Sequence, residues 1–503
     1  MSVKRTIINK YPSLSAELEA MREAVSANNI EAIKKLVMRV IQKHDGCSRY
    51  MFKLYERYKA YEEGLTISAR EPRFDEEAHP INHKINNDFF GEIVDIETGY
   101  FAGKAASYSY SETEESEEMT GGEEAVDEAA KQLSDFVTRN TMYDKDLQAT
   151  KFAAVCGYAG RLFYIDREGS ERVRVIAPYE CVFLSEDDMT EPEYAIRYFP
   201  VVDVNDVKKW KVVLYTATKE YYFEGELNSL NFIKEEVNLF DYCALQGIPH
   251  NDELTGTAEN VLELIDAYDR AMSDSSNDIE RFASAYMIFK NLQLSEGEMV
   301  AAQKSGALKF DGMLDNADVY YLTKNLSPEF VEAFLQRVED NIYRFSKTPN
   351  LADEKFASSS GIALKFKITG LETKCGILEA KMTKAGVYMF KLLASAWQKK
   401  QVAIDPLQCY IEFKRNFPLD VTSEAQAVTQ LISAGLPKRV AFEQLSFVDD
   451  IDWLMDLIEQ EKDNIKPLDA EEEENKAFTG ADFLNNLLPN RKQEEENVEN
   501  SEN

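Results

Sequence analysis

Histidine is almost missing from this chain: His44, His79, His83 and His250 are the only four in 503 residues. His79 and His83 are spaced i,i+4, but Pro80 between them breaks the helix that would bring both to one metal ion. The six cysteines (Cys47, Cys156, Cys181, Cys243, Cys375 and Cys409) show no short spacing. That pattern excludes a disulfide framework and predicts free thiols in a reducing compartment. No apolar run reaches the length of about 18 residues that a membrane span needs. The first residues, "MSVKRTIINKYPSL", lack the apolar core of a signal peptide. Positive charge is also short, with 57 Lys and Arg against 90 Asp and Glu, a formal net charge of −33. Such a surface repels phosphates and anionic membranes, so contact with nucleic acid must be weak, local or sliding. A soluble protein made in the cytoplasm is expected.

Signatures of chemistry are absent too. "GYFAGKAAS" at 99–107 has three residues between its glycines and Ala105 where a phosphate loop needs Ser or Thr. There is no G-x-S-x-G elbow, and the acid pairs at 187 and 449 read as surface charge. The sequence therefore predicts no catalytic residue, no metal, no cofactor and no enzyme.

What is present is helical periodicity around a β-rich insert, an α+β chain with helix predominating. Ala, Leu, Ile and Val recur at helical spacing over 13–60, and Phe89, Ile93, Ile96 and Tyr100 predict a helix over 85–103. Residues 111–130 hold nine acids and no base, a solvated loop leading to a helix start near 123. From 151 to 245, "RLFYID", "RVRVIAP", "CVFLS", "YAIRYFPV", "KVVLYTATKEYYFEG" and "FDYCAL" read as short strands, with a hairpin around "TATKEYYF". Val261, Ile265, Tyr268, Met272, Ile279, Phe282 and Tyr286 line one face of a helix of about 30 residues, roughly 45 Å long. "ALKFDG" and "DVYYLTKN" then read as strands within a mixed module at 291–327.

A second rod begins at "LSPEF", with Ser327 as N-cap, Pro328 first in the helix and Glu329 in its first turn. Its stripe is Val331, Phe334, Leu335, Val338, Ile342 and Phe345. A polar connector, "KTPNLADEKFASSSG", then precedes a third helix with Leu364, Ile368, Leu371, Cys375, Leu378, Met382, Ala385, Met389, Leu392 and Ala396 in a continuous seam. Gly370, Gly376 and Gly386 interrupt that seam and suggest a bend or a close helix approach. Lys367, Lys374 and Lys381 step by seven along it, and Lys384 and Lys391 repeat the step. Two readings of these lysines stay open: a solvated or salt-bridged face, or a basic stripe aimed at something anionic. Helix–turn–helix punctuation at Gly435 and Pro437 marks a last helical region, and 461–503 carries 13 acids against 5 bases, a composition that favours disorder.

This order of parts resembles the portal proteins of tailed bacteriophages, most closely those of long-tailed phages of Gram-positive bacteria. The phrases "YEEG", "INNDFFGEIVDIETGYFAGK", "YAIRYFPV", "GTAENVLELIDAYDRAMSDSSNDIERFASAYMIF" and "FPLDVTSEAQAVTQLISAGLPKRVAFEQL" carry the likeness, from about residue 50 to 465. The resemblance implies a homo-oligomeric ring, a dodecamer in the virion, at one capsid vertex around a channel for double-stranded DNA. It makes 1–253 a wing with an acidic loop at 111–124, 254–290 and 328–346 two stem helices, and 291–327 a clip. It makes 347–361 a tunnel loop, 362–420 a long wing helix with a return strand, 421–465 a crown and 466–503 an acidic tail. Implied partners are the terminase large subunit and head-completion or adaptor proteins at the clip, and major capsid and scaffolding proteins at the wing, with no membrane. The tunnel-loop residues would be Lys347, Asn350, Asp353, Glu354, Lys355, Phe356, Ser358, Ser359 and Ser360, the lysines drawing phosphates and the acids keeping the grip loose. The stem interface between subunits would be Val261, Ile265, Tyr268, Phe282, Val331, Phe334, Val338 and Ile342. The competing expectations are a helical adaptor or scaffold without a channel, and a metal-dependent nucleic-acid hydrolase.

Overall fold

A computed structural model describes residues 11–71, 81–111, 123–186, 188–202, 206, 208–283, 286–290, 297, 318–322, 328–352, 361–416, 421–442, 445, 448, 451 and 454–458. The chain divides into two compact units, Met1–Asp353 with Lys367–Asn416, and Glu354–Phe366 with Phe417–Asn503. The fold is α+β, as the sequence implies.

The first unit begins with α1 (Ser15–Ser26) and α2 (Ile30–Tyr58). Asn28 turns between them at φ 47°, a conformation Asn tolerates, and the Asn29 side chain caps α2 by accepting from Ala32 N at 3.1 Å. Next come α3 (Phe89–Ala102), β1 (Ser107–Tyr110), α4 (Glu123–Asn140) and α5 (Met142–Cys156). The helix expected over 85–103 starts later because Asp88 is its N-cap, accepting from Gly91 N at 3.1 Å; residues 81–88 are not helical.

The β region holds β2 (Tyr158–Ile165), β3 (Glu171–Ile176), β4 (Cys181–Leu184), β5 (Tyr194–Val202), β6 (Lys208–Tyr215), β7 (Lys219–Glu226), β8 (Ser229–Val237) and β9 (Leu245–Pro249). They form a five-stranded antiparallel meander, β4-β5-β6-β7-β8, and a three-stranded sheet, β3-β2-β9. The hairpin around Thr216 closes as expected, with the Thr216 hydroxyl accepting from Lys219 N at 2.9 Å. Two readings need correction. β8 escaped notice because only Leu230 along it is buried, leaving no alternation. "FDYCAL" is largely a turn, because the Asn238 amide donates to Tyr242 O at 2.8 Å and accepts from Phe240 N at 3.0 Å; the strand starts only at Leu245.

Side chains blunt the sheet edges. The Tyr11 hydroxyl donates to Phe183 O at 2.7 Å and accepts from Phe183 N at 2.6 Å, closing the edge of β4. The Asn140 amide does the same for β3, donating to Glu171 O at 3.0 Å and accepting from Val173 N at 2.9 Å. On β9, Gly247 N donates to Met189 O at 2.8 Å. β8 is guarded by a bulge opposite Tyr222/Phe223 and by Lys234, Glu235 and Glu236.

Then come α6 (Leu262–Ala283), a ladder of β10 (Tyr286–Lys290) with β11 (Asp318–Leu322), α7 (Pro328–Ser346), α8 (Gly361–Gln398) and β12 (Cys409–Glu412), which pairs with β1. The first rod is thus shorter than expected, and Tyr286 lies in a strand. The proposed strand "ALKFDG" and Ser327 fall outside the described residues. α8 is continuous through its three glycines. A Cβ at Gly370 would meet Lys347 Cβ at 3.2 Å and one at Gly386 would meet Ile411 at 3.1 Å, so both permit close approach; Gly376 has open space.

α1 and α2 cover one face of the larger sheet through Leu18, Ile33, Val37, Val182, Leu214 and Phe223. The α8 seam packs on α3 and α5 through Leu371, Cys375, Leu378 and Met382 against Phe101, Ala149 and Ala153. All six cysteines are buried and none forms a disulfide. His44 is buried between the Tyr198 and Tyr158 hydroxyls, at 2.7 and 3.0 Å, and burial pushes its pKa down to about 3. In the second unit, α9 (Val421–Ser433) and α10 (Lys438–Phe442) flank a turn with Gly435 at φ +93°, as the Gly–Pro punctuation predicts, and share a core of Val428, Ala441 and Leu445.

Asn140→Ala leaves a buried N–H and a buried C=O of β3 without partners. It should lower unfolding free energy by about 2 kcal/mol, read as the shift of the urea midpoint.

Candidate functional site

The chemistry-bearing side chains converge where α6, α7 and α8 meet α3. α6 presents a polar stripe, Asp269, Ser273 and Asn277, each buried and four residues apart. The extended segment 82–87 lies along it. Asn87 N donates to Asp269 Oδ1 at 2.9 Å, Ile85 N to Ser273 Oγ at 3.0 Å, and His83 N to Asn277 Oδ1 at 2.7 Å. Alternate backbone N–H groups of an extended chain are thereby matched to successive turns of a helix. Arg57 pairs with Asp266 at 2.6 Å, Arg70 with Asp274, and His83 with Glu280. Sequence periodicity left "SDSSND" on the remaining faces; the structure instead buries Ser273 and Asn277 under this strap.

α7 packs on α6, and both are held to α3 by aromatic edges. The Phe89 ring meets Tyr268 at 5.0 Å and Tyr343 at 5.9 Å, and the Tyr343 hydroxyl donates to Glu92 at 2.7 Å. α7 ends in a Schellman turn: Lys347 takes φ 58° and Thr348 N donates to Tyr343 O at 3.1 Å.

Directly behind that turn lies a buried ionic cluster. Glu97 has no exposed surface, and its carboxylate accepts from His250 Nε2 at 2.5 Å, Lys374 Nζ at 2.8 Å and the Thr257 hydroxyl. Lys374 also donates to Ser346 O, the last carbonyl of α7, at 2.9 Å. Burial alone would raise the Glu97 pKa; His250 and Lys374 outweigh it and hold the carboxyl well below the usual range. Along the stripe, Lys374 is matched to Glu97, Lys381 to Asp252, Lys384 to Asp188, and Lys391 to Glu191 at 3.0 Å. The salt-bridged reading replaces the anion-directed one for these four. Lys367 is exposed.

The expected subunit seam is also corrected. Val261, Ile265, Val338 and Ile342 are buried in this chain's own core, beside Phe90 and Val94. From Ile368 to Ala396 the α8 seam is likewise buried within the chain itself. Tyr268 and Val331 are half-buried and Phe334 is exposed, while the Phe282 side chain lies outside the described residues. Of the connector, Lys347 is exposed, and Asn350 donates to Glu339 at 3.1 Å and accepts from Ala352 N at 3.0 Å. Asp353, Glu354, Lys355, Phe356, Ser358, Ser359 and Ser360 lie outside the described residues.

Sequence reasoning missed Glu97, His250 and Thr257. The signal for Glu97 was available: it continues the spacing of Phe90, Ile93 and Phe101, so it sits on the apolar face of α3. Among the described residues, no group of three or more His, Cys, Asp or Glu is arranged to hold a metal ion, and no helix is long and apolar enough to cross a membrane.

The family model described as phage portal protein, SPP1 Gp6-like, matches residues 39–475. The portal protein of Bacillus phage SPP1 is 22% identical over 321 residues, covering 59% of this chain and 63% of that one. The portal protein of Clostridium phage phiCD119 is 24% identical over 211 residues, 40% of this chain and 44% of that one. The chain therefore spans less than two-thirds of the length of either relative. A solved structure described as the neck of an empty GTA particle computed with C6 symmetry aligns over 70% of this chain and 88% of that one, at 11% identity and a TM-score of 0.41.

Glu97→Gln strands the Lys374 ammonium against a neutral amide and should cost about 3 kcal/mol at pH 7. Because the folded-state pKa of Glu97 is depressed, its contribution is present above the ordinary carboxylate value near 4.5 and is lost as pH falls through the folded value. The gap in unfolding free energy between the wild type and Glu97→Gln should therefore narrow below about pH 4.5, a trend that denaturant titrations from pH 7 to 3 measure.

Proposed function

Because the chain belongs to the SPP1 Gp6-like family of phage portal proteins, we propose that its copies close into a ring at one capsid vertex, around a channel through which double-stranded DNA is packaged, retained and ejected. One observation in the fold supports this reading beyond family membership. The outer half of α7 leaves Phe330 and Phe334, one turn apart, 73% and 42% exposed. Exposed aromatic surface such as Phe334 suits burial against a neighbour, and closed cyclic symmetry supplies the same neighbour to every copy. The interface therefore moves outward from Val338 and Ile342, which α7 buries at home, to Phe330 and Phe334.

In this reading residues 291–327 face the terminase motor and later the head-completion proteins, and the wing faces capsid and scaffold. Residues 347–361 line the channel, and 421–465 form the crown toward the capsid interior. A dodecamer is the virion form. The protein acts as a conduit and platform; the negative chain keeps DNA sliding, since each phosphate neutralised would add affinity.

Wild-type protein should give rings with a central hole in electron-microscope class averages, and joint Phe330→Ser and Phe334→Ser replacement should shift the sedimentation profile toward monomer. Rings that survive both changes would place the interface elsewhere, and assemblies without an aperture would favour a helical adaptor. Deleting 350–358 should leave the rings intact and reduce packaged DNA per particle; undiminished packaging and infectivity would remove the connector from the channel.

A further inference from the structure

We propose that Lys374 is a positioning residue: it fixes the point and direction at which the connector leaves α7. The proposal rests on three contacts at one joint. Lys374 Nζ reaches Ser346 O at 2.9 Å, the terminal carbonyl at the negative end of the α7 dipole. The same ammonium is anchored to Glu97 at 2.8 Å and to the Thr257 hydroxyl, so α7 is tied through one side chain to α3 and to the loop before α6. One helical turn earlier on α8, Gly370 lets the helix backbone close on Lys347, where an added Cβ would stand 3.2 Å from the lysine's own Cβ. Lys347 is the residue in left-handed conformation that redirects the chain out of the helix.

An ion pair needed only for stability could be replaced by apolar side chains of similar volume at little cost. A pair that also holds a third element cannot be, because the replacement has no donor for Ser346 O. This difference separates positioning from stabilisation. The functional consequence, though not the joint itself, depends on the reading of the connector as channel-lining.

The test compares full-length wild type, Lys374→Met, Glu97→Gln and the paired variant, with three readouts: unfolding midpoint, amide hydrogen exchange across 343–352, and DNA packaged per particle. Each single change should lower the midpoint, and the paired change should restore most of it. In the paired variant, exchange at Thr348 should remain about tenfold faster than in wild type, and packaged DNA should fall although ring numbers do not. Wild-type exchange at Thr348 in the paired variant would overturn the proposal, leaving Lys374 a stabilising ion pair. Faster exchange with full packaging would uphold the joint and overturn the channel reading of the connector. If the paired variant fails to assemble, Gly370→Ala tests the same joint without altering charge: it should speed exchange at Thr348, and an unchanged rate would overturn the proposal.

Discussion

The structure turns on a carboxylate with no access to water. Glu97 sits on the apolar face of α3, and a charge there is tolerable only if every oxygen lone pair finds a donor. Those donors come from two places far apart in sequence, His250 and Thr257 in the connection between β9 and α6, and Lys374 on α8. Satisfying one side chain therefore brings the strand region, the first rod and the long helix to a common point. Arg161 and Asp146, both buried and 2.7 Å apart, with the Tyr108 hydroxyl donating to the same carboxylate, repeat the device between β2, α5 and β1. Apolar packing supplies the bulk of the core, but it is non-directional; these ionic joints set which residues meet.

Much of the fold was legible because it is written in periodicity. The α8 seam, the α7 stripe, the β6–β7 hairpin and the Gly435 turn all follow from spacing and turn chemistry within a few residues. What escaped has one physical cause. β8 is exposed on both faces, so burial imprinted no alternation on it. The strap at 82–87 draws its order from donors and acceptors nearly two hundred positions away, which local sequence cannot display. The rods were legible as helices, yet their partners were not: a stripe says that a face is covered, never by what. Val261 and Ile342 find cover within the chain, whereas Phe334, on the same stripe, is exposed.

Along α7 the end near α3 is heavily tied, while residues 328–337 are mostly exposed. Near α3, Tyr268, Tyr343, Asn260 and Ser346 are all engaged by aromatic contacts or hydrogen bonds. Beyond Val338 toward its start, α7 is mostly exposed. Such a division gives α7 one end that the chain's own core covers and another that stays mostly exposed.

The strap along α6 has a metric consequence. A helix advances about 6.0 Å in four residues, while an extended chain advances about 6.6 Å in two. The two scales agree at one rung and drift apart by about 0.6 Å at each step. Asp269, Ser273 and Asn277 therefore work as a vernier: coincidence is good over a short span and degrades on either side. A longer ladder would add mismatch instead of grip, and sliding the rod by one turn would leave a rung empty. The protein has in this way a polar gauge for the axial height of its first rod, set beside the apolar contacts of Ile265 and Tyr268.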